Sequence, residues 1–135
     1  MTQATQLLIR KYYEAFNAAD MGAFLGFLHE QVAHDINQGE RQIGRDAFAA
    51  FMKRMNRCYK EQIVELVIMT DAEGVHACAE FVVLGEYLAT DQGLPPAKGQ
   101  KYQLPGAALF DVKDGKITRV TNYYNLQEWL RQIGA

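Results

Sequence analysis

The spacing of apolar residues changes near residue 60, and that change constrains the fold more than any other feature of the chain. Before it, apolar side chains recur at helical intervals. Leu8, Tyr12, Ala15 and Phe16 form one stripe within residues 5–18. Met21, Phe24, Leu25 and Leu28 form a second behind Asp20, a good N-cap. Phe48, Phe51, Met52 and Met55 form a third after Gly44, with Tyr59 at its edge. Residues 32–36 read as a short strand between the second and third helices. Beyond the change the runs are long and strand-like. Residues 62–70 are rich in Ile and Val with little polar alternation, which predicts burial on both faces. Residues 75–89 and 100–112 follow, flanking a loop at 90–99 that carries Gly93, Pro95, Pro96 and Gly99. Pro105 and Gly106 inside a strand suggest a bulge or bend. Lys113-Asp114-Gly115-Lys116 is a hairpin turn leading into a last strand at 117–125, and residues 126–133 form a helical tail.

Helices first and long antiparallel strands afterwards specify an α+β fold. Long strands twist and curl. The expectation is therefore a cone-shaped, strongly curved antiparallel sheet with three N-terminal helices on its concave side, enclosing a cavity. At 135 residues the chain suits a single domain, residues 1–135.

Composition narrows the partners. A net charge of −2 and scattered basic residues argue against nucleic acid and against an anionic membrane. The loose cluster Lys53, Arg54, Arg57 and Lys60 reads as a solvated face. The opening "MTQATQLLIRKYYEAF" interrupts its apolar residues with charge, unlike a signal peptide, and no apolar run reaches membrane length. Cys58 and Cys78 read as reduced thiols, which fits a cytoplasmic protein. His29, His34 and His76 lack metal-ligand spacing, so no metal is expected. The glycines form no phosphate loop, so no cofactor is expected. The chain contains no serine, which excludes a serine nucleophile, and neither cysteine has a basic neighbour in sequence to activate it.

Three segments, "YYEAFNAADMGAFLGFL" at 12–28, "IGRDAFAAFM" at 43–52 and "LFDVKDGKITRVTNYYN" at 109–125, resemble the nuclear-transport-factor-2-like superfamily. Within it the chain is similar to the ketosteroid-isomerase-like and SnoaL-like polyketide cyclase branch, over nearly its whole length. The resemblance implies a cone-shaped pocket for a small apolar ligand and a homodimer packed through the sheet. It does not imply one reaction, because the fold hosts isomerases, cyclases, hydrolases and binding domains.

In the steroid isomerases of that superfamily a carboxylate removes a proton next to a carbonyl, while a tyrosine and a neutral acid donate hydrogen bonds to the oxyanion. By resemblance Tyr12 takes the tyrosine's place. Asp35 takes the base's place only with a one-residue gap; without it, Ile36 does. Strand alternation puts Val32, His34 and Ile36 on one face and Ala33, Asp35 and Asn37 on the other. His34 is therefore the second candidate base, and turn chemistry before Gly39 is the alternative for Asp35 and Asn37. The oxyanion acid's place falls on Gly106, which has no side chain to donate, so the steroid-isomerase set is incomplete. Glu80 interrupts an apolar strand, on a face that either lines the cavity or meets solvent or a partner. Asn122 shares a strand face with Val120 and Tyr124, where the family lines its pocket. Glu80, Asn122 and Tyr124 are therefore the substrate-binding candidates. The expected activity is cofactor-independent proton abstraction next to a carbonyl in a cyclic or polyketide-like substrate. The alternatives are a non-catalytic ligand-binding protein and a dimerising accessory module.

Overall fold

The computed structural model describes residues 2–134. Helix α1 (Thr2–Asn17) buries Ile9, Tyr12, Tyr13 and Ala15. Helix α2 (Met21–Gly26) is short, and Asp20 caps it by accepting a hydrogen bond from the Ala23 amide. Leu28, expected on that helix's stripe, instead starts strand β1 (Leu28–Asp35). Strand β2 (Arg41–Ile43) folds back against β1. Helix α3 (Arg45–Cys58) begins behind Gly44, whose φ of 107° suits a residue without a Cβ. Strands β3 (Tyr59–Thr70), β4 (His76–Tyr87), β5 (Lys101–Lys113) and β6 (Lys116–Tyr124) follow, then helix α4 (Leu126–Gln132). Asp114 and Gly115, both at positive φ, make the tight β5–β6 turn that the Asp-Gly pair announces.

The six strands form one sheet in the order β2-β1-β6-β5-β4-β3. Two expectations change here. The sheet is mixed, because β1 runs parallel to β6, and it is not strongly curled. The register shifts between Val64 and Val67, at Glu65 with φ of 53°, and between Asp111 and Val112, places where an extra residue bends a strand only locally. Pro105 and Gly106 cause no bulge: β4 and β5 pair without interruption through them. The pairing of β6 with β5 ends at Gly106, so the proline sits where β5 has lost that neighbour and its missing N–H costs no ladder bond there.

The helices cover one face of the sheet. The main core lies there, with Ile9, Phe24, Leu28, Val32, Phe48, Phe110, Ile117 and Val120 sealed from solvent. A second cluster at one end joins Tyr59, Tyr87, Tyr102 and Leu104 to Trp129 and Ile133 of the C-terminal segment. Strand β3 is not buried on both faces. Its outer side chains Val67 and Met69 are about half exposed, because no described helix or strand covers the sheet's far face there. Both cysteines are free thiols. No described helix is long and apolar enough to cross a membrane.

Candidate functional site

A cavity of about 390 Å³ lies between the helices and the inner face of the sheet, within the range of small-molecule sites. Aromatic and aliphatic side chains make most of its wall: Phe16, Phe24, Phe48, Phe51, Ile63 and Phe81 among them. Its polar groups gather at two ends, and strand register shows how far apart. At one end His34 pairs with Val120, which pairs with Phe110. At the other, Tyr102 pairs with Gly85, which pairs with Glu61. Tyr102 and Phe110 stand eight positions apart on β5, which separates the two backbone rows by roughly 25 Å.

The first end holds Tyr12, Tyr13, His34 and Asn122. Tyr12 stacks on Phe24, with ring centroids 4.4 Å apart, and meets the Phe110 ring edge-on. Burial pushes its phenol far above the usual range, so it acts only as a neutral donor. The Tyr12 and Tyr13 hydroxyls make no hydrogen bond among the described residues. His34 is 1% exposed and stacks on Phe48 at 4.0 Å. Burial pulls its imidazole down to about 4, against the opposing charge of Asp35. It is neutral at pH 7, and its Nδ1 has no partner. Asn37 ties the end of β1 to β6 through the Tyr124 carbonyl, 3.1 Å from its Nδ2. Tyr124 lies at the cavity rim, partly exposed.

Asp35 and Glu80 do not reach the cavity. Asp35 is on the outer face, where Arg41 donates to it at 2.6 and 2.9 Å and Thr121 at 2.5 Å. The Arg41 hydrogen bonds hold its carboxyl down to about 2. A polar row continues across that face, with Arg119 donating to Thr121 and Asp111, and His76 beside Asp111. Alternation along β1 fixed this outcome: once His34 turns inward, Asp35 must turn outward. Glu80 is exposed on the same outer face, with Cys78 and Leu84. Gly106 does line the cavity, but the space its side chain would fill holds the Phe81 ring, whose Cε1 lies 2.7 Å from a built Cβ.

The second end was not anticipated from the sequence. Glu61 lines it, half-buried, and accepts a hydrogen bond of 2.5 Å from the Tyr102 hydroxyl. Burial raises the Glu61 carboxyl and the Tyr102 bond partly offsets this. Asp91, from the loop after β4, is buried beside it and accepts from Tyr59 at 2.8 Å and from the Gln92 amide. The signal for Glu61 was its place two residues after Tyr59 and two before Ile63, on the inward face. It becomes readable only once the strand is known to start at Tyr59. Among the described residues no cluster of His, Cys, Asp or Glu could hold a metal ion.

With this geometry in place, comparison with other proteins is informative. A family model described as SnoaL-like domain matches residues 9–120. A solved candidate polyketide cyclase from Pseudomonas putida KT2440 is 58% identical, with 99% of each chain covered and a TM-score of 0.95. A second, from Xanthomonas campestris pv. campestris, is 57% identical, with 98% of each chain covered and a TM-score of 0.96. A third, from Silicibacter sp. TM1040, is 47% identical, covering 98% of this chain and 97% of that one, with a TM-score of 0.96. No curated protein matches.

Proposed function

This chain belongs to the SnoaL-like domain family, and on that premise we propose that it is a cofactor-independent enzyme that moves a proton next to a carbonyl in a small, mostly apolar, polyketide-like ring compound. The naming of its 47–58% identical relatives as candidate polyketide cyclases supports the substrate class. The observation that carries the reading is the meeting, at one end of an apolar cavity, of a buried neutral imidazole and a buried phenol whose polar atoms the protein leaves free.

Tyr12 donates to the substrate oxygen, and Asn122 positions it. Both act in a water-poor site where a fixed donor stabilises a developing oxyanion more than it would in water. His34 takes the carbon-bound proton. Its low basicity suits a substrate whose enolate is already stabilised, since a carboxylate of similar strength does the same work in related chemistry. Tyr124 borders the ring at the rim. The test is deuterium uptake from heavy water at the carbon next to the carbonyl of a bicyclic aryl ketone such as 1-tetralone. Uptake in wild type that is lost in both Tyr12→Phe and His34→Leu supports the assignment. Equal uptake in all three removes it.

A second reading, ligand binding without turnover, draws on the outward placement of Asp35, a candidate base, and of Glu80, a substrate-binding candidate. It would show as saturable binding of ring compounds with no deuterium uptake. We also infer a homodimer through the outer sheet face, where Val67, Met69 and Leu84 are exposed. Light scattering of wild type against Val67→Glu tests it.

A further inference from the structure

The second end of the cavity carries a carboxylate that the proton transfer just described does not use. Glu61 Oε2 is taken by the Tyr102 hydroxyl, but Oε1 makes no hydrogen bond and no cation pairs with the group among the described residues. The neighbouring Asp91 differs, because Tyr59 and the Gln92 amide occupy its two oxygens. That oxygen is not sealed off by the protein, so it is open to a hydrogen-bond donor entering the cavity.

The backbone is arranged to present this oxygen. Glu61, Gly85 and Tyr102 form one row across β3, β4 and β5. A Cβ at Gly85 would stand 2.1 Å from Tyr102 Cζ and 2.5 Å from its hydroxyl oxygen. The tyrosine ring therefore lies flat across β4 in the space the glycine leaves, and only so does its hydroxyl reach Glu61 on the far strand. Trp129 packs edge-on against that ring, with centroids 6.0 Å apart, and fixes it from the other side. The row holds one carboxylate oxygen and leaves the other without a partner on a residue that lines the cavity.

We propose that Glu61 is a second binding station, and that its free oxygen accepts a hydrogen bond from a phenolic or enolic hydroxyl at the end of the substrate remote from the reacting carbonyl. The inference rests on the cavity being the substrate site and adds to it a substrate shape: elongated, flat and hydroxylated at its far end. The roughly 25 Å between the two rows calls for a substrate longer than a single ring. A neutral hydroxyl fits better than an ammonium group. It gives a charge-assisted hydrogen bond without burying a second charge, and Arg54 already stands 3.6 Å from Asp91 at that end, where it repels cations.

The experiment compares three probes: 2-hydroxyanthraquinone, anthraquinone, and 2-(aminomethyl)anthraquinone. Binding is followed by quenching of Trp129, the chain's single tryptophan and part of the cavity wall. Wild type is expected to bind the hydroxylated ring at least about tenfold more tightly than the parent. That preference should fall to less than about threefold in Glu61→Leu, and also in Gly85→Val, which displaces Tyr102 while keeping the carboxylate. It should persist in Asp35→Asn, which lies outside the cavity. Thermal melts confirm that each variant is folded, and Glu61→Gln serves as the isosteric control if Glu61→Leu is not. The proposal is overturned by equal affinities in wild type, by a preference that survives Glu61→Leu, by tighter binding of the amine, or by no binding of any of the three. Deuterium uptake by 1-tetralone, which is too short to reach Glu61, reads the other end alone, so failure here leaves the proton-transfer reading standing and the reverse holds too.

Discussion

His34 and Gln42 face each other across the β1–β2 ladder, and each carries a buried polar atom, Nδ1 and Oε1, with no partner. These are the two such side-chain atoms found among the described residues, and they sit on paired positions of β1, which supplies the candidate base, and its neighbour β2. An acceptor without a donor adds no stability, so Gln42→Met should leave stability unchanged or raise it by up to about 1 kcal/mol in urea unfolding. A loss greater than about 1 kcal/mol would show that the two atoms share a bridging partner, which would then also orient the imidazole.

The acid side of the stability curve should carry a signature of His34. The unfolded chain takes up a proton on this residue near its ordinary value of 6.5, whereas the folded chain refuses it down to about pH 4. Between those limits the unfolded state binds more protons, so stability falls as pH drops from about 6.5 to about 4 and the residue contributes nothing further below that. The total is about 3 kcal/mol. Asp35 acts in a lower window, from its ordinary 3.8 down to about 2, where loss of the Arg41 pairing removes stability as pH falls. Urea midpoints at pH 4, 5, 6 and 7 should show the slope in wild type and a flatter one in His34→Phe.

Tyr12→Phe and Asp35→Asn should separate cleanly. Removing one fixed oxyanion donor costs on the order of a hundredfold in rate, so Tyr12→Phe should cut deuterium uptake by about that factor with little change in KM. Asp35→Asn lies outside the cavity and should change uptake by less than about threefold, with a stability loss of no more than about 1 kcal/mol for a partly exposed pair. An uptake loss in Asp35→Asn as large as that in Tyr12→Phe would return Asp35 to the chemistry.

Gly106 and Phe81 should behave as one unit. Gly106→Asp, which restores an acid where the resemblance expects one, drives its Cβ into the Phe81 ring and should cost about 1–3 kcal/mol. Phe81→Ala opens the space, so the double variant should be more stable than the sum of the two single effects by more than about 0.5 kcal/mol. Additive losses would mean that the ring does not occupy the missing side chain's place.

The sequence disclosed what depends on period. Helical stripes gave α1 and α3, the Asp-Gly pair gave the β5–β6 turn, and alternation in β1 correctly set His34 and Asp35 on opposite faces. It did not disclose what depends on distant pairing. Three residues, Arg41 to Ile43, are too few to show alternation, so β2 passed unseen. The parallel partnership of β1 with β6 leaves no local trace. Alternation also says which residues share a face but not which face turns inward, so Glu80 could be placed only by the fold. Glu61 was hidden by a boundary: with Tyr59 read at the edge of the α3 stripe and β3 begun at Gln62, the carboxylate fell between elements. The close approaches at Gly85 and Gly106 depend on rings carried by neighbouring strands, which neither glycine's own surroundings in the sequence reveal.

The partnership between β1 and β6 has a consequence for how the protein is made. Strand β1 leaves the ribosome before β2, β3, β4 and β5, but β6, the strand that shields its open edge, follows only after all of them. Until it docks, His34 and Asn122 belong to no common chamber, and a nascent chain can hold its helices and central strands without yet being able to hold a guest. Such long-range closure is slow, so acquisition of ligand-binding competence should lag behind the appearance of helical structure during refolding.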